Sequence, residues 1–150
     1  MEKILIEKLW DYIVTNNPEL MYNLQEDYKV QKYLQERVQG ILPLADALEK
    51  AGEQAYTIEE ICLDALTEEL RPSRYHYIIG ILKEDFEDFF EDMTASGILT
   101  FEVLNMMEAC EPVFELLNFS VEREQDRMIR YAIIGQLHEY LQGRVAAAVN

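Results

Sequence analysis

Apolar residues in this chain recur every three or four positions over most of its length, the period of an amphipathic helix, and nowhere alternate with a period of two. The most telling stretch runs from Pro72 to Asp92. Tyr75, Ile78, Ile79, Leu82, Phe86 and Phe89 line one stripe of it and predict a single long helix. Pro72 suits the first turn, where its missing N–H has no intrahelical partner anyway. Ser73 offers its hydroxyl to the free N–H groups of that turn. Gly80 sits mid-helix at a cost of about 1 kcal/mol against Ala, for which close approach of another helix is the expected reason. At the far end Glu84, Asp85, Glu87, Asp88, Glu91 and Asp92 crowd around Phe86, Phe89 and Phe90. On one continuous helix these carboxylates face the negative end of the macrodipole, costing roughly 0.3–1 kcal/mol each when exposed. They also repel one another at i,i+3 and i,i+4.

The remaining elements follow from the same periodicity. A first helix covers about Glu2 to Thr15 on Leu5, Leu9, Tyr12 and Ile13, and ends before Pro18. A second begins near Asn23 to Gln25 and carries Tyr28, Tyr33, Leu34, Val38, Ile41 and Leu42. Gly40 and Pro43 either kink it or separate it from a short third helix that Gly52 closes in the left-handed conformation. Thr57 and Glu60 form a T-x-x-E capping box that opens a fourth, ending near Leu70. The tight link to Pro72 predicts that the helices on either side pack together. After a break at Met93 to Gly97, a further helix runs from Ile98 or Leu99 to Ala109, and Pro112 opens a separate turn. Ser120 reads as the N-cap of the last helix, whose apolar residues run from Met128 and Tyr131 to Leu141, with Gly143 closing it and Arg144 to Asn150 fraying. The expectation is an all-α, single-domain bundle of about six or seven helices over residues 1–150.

Charge sharpens this picture. The chain carries 29 acids against 13 bases, a net charge of −16. From Glu53 to Glu115 there are sixteen acids and three bases (Arg71, Arg74 and Lys83), so that segment alone holds −13. A field of this sign repels phosphate backbones and anionic lipid, which argues against direct nucleic-acid or membrane binding. It attracts basic proteins. The N-terminal MEKILIEKLWDYIV has no long apolar run or small-residue cleavage site, and no stretch reaches membrane-span length, so a cytoplasmic location is the default.

Specific chemistry is sparse. Cys62 and Cys110 each lie alone in an apolar pattern and read as buried thiols. His76 and His138 have no metal-ligand spacing. Glu84, Asp88 and Asp92 share i,i+4 spacing, but a straight helix gathers few ligands around one point, so no metal is assigned. No phosphate-binding loop, dinucleotide turn or nucleophile elbow is present. No cofactor and no catalytic residue are expected, and an enzyme is the minor reading; its mark would be a concave pocket holding a polar cluster such as His76 with Arg74 and glutamates. Arg71, Arg74 and Tyr75 make a candidate anion site at a helix N-terminus, against the plainer reading that the arginines pair with acids such as Glu68 or Glu69.

Asn17-Pro18-Glu19-Leu20, Gly52 before a helix, Ser73-Arg74-Tyr75, Leu82 to Phe86, and Cys110-Glu111-Pro112-Val113-Phe114 together resemble a small domain-of-unknown-function family of Bacteroides-type bacteria. Pro72 departs from that pattern. The resemblance implies an acidic helical protein encoded near mobile elements and supplies no catalytic residues. The leading expectation is a non-enzymatic module that presents Glu84, Asp85, Glu87, Asp88, Phe90, Glu91 and Asp92 to a basic partner. A narrower version imitates DNA. A homodimer is a further option, because Phe89 and Phe90 cannot both face one narrow stripe.

Overall fold

The computed structural model describes residues 1–149, and within them the chain forms eight α-helices and no strand, two more breaks than the periodicity predicts on its lower count. In order they are α1 (Glu2–Asn16), α2 (Pro18–Glu26), α3 (Val30–Lys50), α4 (Ala55–Thr67), α5 (Arg74–Asp85), α6 (Glu87–Ala95), α7 (Leu99–Leu116) and α8 (Arg127–Val149), with a 3₁₀ turn at Glu68–Leu70. The chain forms two compact units, Met1–Arg71 and Pro72–Asn150.

Unit 1 closes around α1, α3 and α4. Leu5, Leu9 and Ile13 of α1 meet Leu34, Val38 and Ala45 of α3 and Ile58, Cys62 and Leu66 of α4. Each fully buried Leu or Ile contributes about 1.5–3 kcal/mol. Pro18, expected only to end α1, also starts α2 as its first residue. Its neighbour Asn17 is buried at this corner, and its side-chain amide donates to the carbonyl of Leu70 at 3.3 Å. Gly40 and Pro43 do not divide α3. Pro43 lies on the exposed face, so the carbonyl it leaves without a partner can be solvated. The capping box is absent: α4 begins at Ala55 after an extended Gln54, which places Thr57 inside the helix.

Unit 2 buries Ile78, Ile81 and Leu82 of α5, Met93 of α6, Val103, Met106, Cys110 and Phe114 of α7, and Ile129, Ile133, Leu137 and Leu141 of α8. Tyr77, Phe114 and Phe119 form an aromatic cluster with ring centroids 4.7–5.9 Å apart. The inward row of α8 is the i,i+4 series from Ile129; Met128 and Tyr131, expected inside, are 70% and 66% exposed. Pro112 lies within α7 on its exposed face and opens no new turn. Ser120 is not the cap of α8. Asp126 is, its Oδ1 accepting the Met128 N–H at 2.8 Å. Gly143 does not end α8, which continues to Val149; Asn150 lies outside the described residues. The link after Leu70 joins two units, and the main partners of α4 are α1 and α3, those of α5 are α7 and α6.

Four helices stop in the same way. After α2, α3, α6 and α7 the chain takes one left-handed residue: Tyr28, Gly52, Gly97 and Asn118, with φ of 56°, 86°, 74° and 54°. In each case the following N–H reaches back to the carbonyl five residues earlier, as Lys29 to Leu24, Glu53 to Leu48, Ile98 to Met93 and Phe119 to Phe114. These are Schellman closures, which satisfy the last carbonyls of a helix and turn the chain sharply.

Candidate functional site

The helix expected from Pro72 to Asp92 is two helices. Ser73 caps the first, its Oγ accepting the His76 N–H at 3.1 Å, and Pro72 stands before this cap. Phe86, at φ −137° and ψ 46°, ends α5 and begins α6. The break reverses the electrostatics of the acidic run. Glu87 and Asp88 fall in the first turn of α6, where the positive end of the macrodipole stabilises them. Glu84 and Asp85 remain at the C-terminal end of α5, and Arg130 of α8 offsets them, its Nη2 lying 2.8 Å from Glu84 and 2.6 Å from Asp85.

The rest of the run is different. At about 100° per residue, Glu87 and Glu91 form one row on α6 and Asp88 and Asp92 the next, while Phe89, Phe90 and Met93 face the core. All four acids are exposed, and none makes an ion pair among the described residues. The neighbouring cation, Lys83, lies over the Phe90 ring, 5.4 Å from its centroid. Phe89 and Phe90 both pack half-buried against the unit 2 core, because the break re-aims α6; the expected surplus phenylalanine for a second copy is therefore not left over.

The arginine constellation does not gather on one ligand. Arg71 binds Asp64 in unit 1, with Nη2 3.2 Å from Oδ1 and 3.0 Å from the Asp64 carbonyl. Arg74 binds Glu115 in unit 2 at 2.8 Å and lies 5.0 Å from the Phe114 ring centroid. Tyr75 shares a 3.1 Å hydrogen bond with Thr100. The partners are Asp64 and Glu115 and not Glu68 or Glu69; Glu69 pairs with Arg37 at 2.7 Å.

A cleft of about 230 Å³ opens on unit 2 between α5 and the turn that leads into α8. His76, Tyr77, Gly80 and Glu84 line one side, and Glu124, Asp126 and Arg130 the other. Arg74, expected beside His76, is not in it. Gly80 has no helix against it: a Cβ there would meet no heavy atom within 4 Å. Burial raises the Tyr77 hydroxyl above its ordinary range.

Elsewhere in unit 2, Glu102 is 9% exposed, accepts the Tyr140 hydroxyl at 2.6 Å and faces Arg144 at 3.5 Å. Burial, and then this carboxylate, push Tyr140 up to about 12. Cys62 and Cys110 are buried free thiols, both shifted up by burial, Cys110 to about 12, which keeps them protonated and unreactive. No group of three or more His, Cys, Asp or Glu side chains among the described residues is placed to hold a metal. No helix among them is long and apolar enough to cross a membrane.

Sequence alone pointed to the acids of α6 but missed Arg130, 45 residues away from Asp85, since no local pattern encodes such a pair. The helix break had one readable sign: paired acids are favoured in a first turn and disfavoured in a last one. Comparisons of the chain with protein-family models, with curated proteins and with solved structures find no match.

Proposed function

We propose that this protein is a non-enzymatic interaction module whose α6 face receives a basic segment of a partner protein. One observation carries the reading. Glu87, Asp88, Glu91 and Asp92 stand exposed in two rows on one short helix without an ion pair among the described residues, although Arg74 and Arg130 of the same unit are both committed to other carboxylates. Like charges at i,i+4 cost about 0.2–0.5 kcal/mol per pair, a repulsion that a cationic partner relieves. With a net charge of −16 behind it, the face steers such a partner from a distance. The family resemblance offers no activity to add, so the proposal rests on charge and placement.

Imitation of DNA is the narrower version. It needs the carboxylate rows to continue, and a nine-residue helix spans only about 13 Å, the rise of about four base pairs.

The test compares two quadruple variants with the same final charge of −12, four acids neutralised in each. One is Glu87→Gln, Asp88→Asn, Glu91→Gln and Asp92→Asn. The other neutralises Glu26, Asp27, Asp46 and Glu49 in unit 1, all exposed. Proteins retained from cell extract at low and high salt are identified by mass spectrometry, and association rates with a retained basic protein are measured. The α6 variant is expected to associate about tenfold or more slowly, and the unit 1 variant nearly as wild type. Equal loss in both would reduce the effect to net charge and remove the α6 face as a site.

A further inference from the structure

We draw no further inference here: the strongest candidate, the outward face of α8 that exposes Met128, Tyr131 and Val145, is an unpartnered surface patch, and nothing in the structure shows what covers it.

Discussion

Units 1 and 2 carry the same formal charge, −8 each, from fifteen acids and seven bases in residues 1–71 and fourteen acids and six bases in residues 72–150. Their interiors differ. All six phenylalanines lie in unit 2, whereas the buried core of unit 1 is aliphatic apart from Cys62. An aliphatic core lets α1, α3 and α4 close directly on one another. The buried core of unit 2 is mostly aliphatic too, with Met93, Met106 and Cys110 added, but it includes Phe114, against which Tyr77 packs edge-on as it also does against Phe119. Buried polar groups also do different jobs. In unit 1 Asn17 ties a chain corner to Leu70; in unit 2 Glu102 of α7 bonds Tyr140 of α8 and so fixes the register of two long helices. Equal charge therefore does not mean equal use of charge. In unit 2 Arg74, Arg130 and Arg144 serve Glu115, Glu84, Asp85 and Glu102, and the four exposed acids of α6 have no ion pair among the described residues.

Each unit contains one buried cysteine, Cys62 or Cys110, which makes the comparison breakable. The largest effects should come from the cores. Phe114→Ala should cost unit 2 about 3–5 kcal/mol and Leu9→Ala should cost unit 1 about 2–5 kcal/mol. Thiol labelling should then accelerate at Cys110 for the first and at Cys62 for the second. If either substitution exposes both cysteines at one rate, the units open together and the division fails.

Next comes the polar contact present only in unit 2. Tyr140→Phe leaves buried Glu102 short of a donor and should cost about 1–3 kcal/mol in urea unfolding monitored at Cys110. The same residue gives an alkaline signature. Its hydroxyl titrates near 12 when folded against 10 ordinarily, so the stability it contributes is present below pH 10 and is lost as pH rises towards 12. Cys110, raised from 9 to about 12, adds to that loss from pH 9 upward. Unit 2 should therefore weaken more steeply than unit 1 between pH 9 and 12, and Tyr140→Phe should flatten the difference; equal slopes in the two units would count against this account.

The smallest effects sharpen the comparison at the helix ends. Tyr28 adopts φ 56° at 96% exposure, so its side chain adds strain and almost no burial. Tyr28→Gly should stabilise unit 1 by up to about 1 kcal/mol. Asn118→Gly should stabilise unit 2 by only a few tenths, since Asn tolerates this region and its φ of 54° is already accommodated. Melting temperatures of the two variants give the ranking directly.

Much of the fold was legible along the chain. Leu5, Leu9 and Ile13, the row through Leu34 and Val38, and Gly52 as a left-handed stop all follow from spacing and backbone sterics, and α1 ends within one residue of its expected limit. Pro112 misled and Pro43 left two readings open, because a proline's local cost is decided by where the freed carbonyl points, and in both cases the proline is on the solvent side of its helix. Thr57 misled because a capping box is a local preference, and α4 starts one turn earlier once Ile58, Cys62 and Leu66 are drawn into the core.

By itself, then, the amino-acid order determined that this is a helical, acidic chain with a concentrated run of carboxylates, because periodicity and charge are properties of neighbours in sequence. Only the tertiary structure decided that the chain forms two cores, that α5 and α6 separate at Phe86, and that Arg130 offsets Glu84 and Asp85 while Glu87, Asp88, Glu91 and Asp92 stay exposed. Those outcomes depend on side chains tens of residues apart meeting in space, and no local propensity specifies such a meeting.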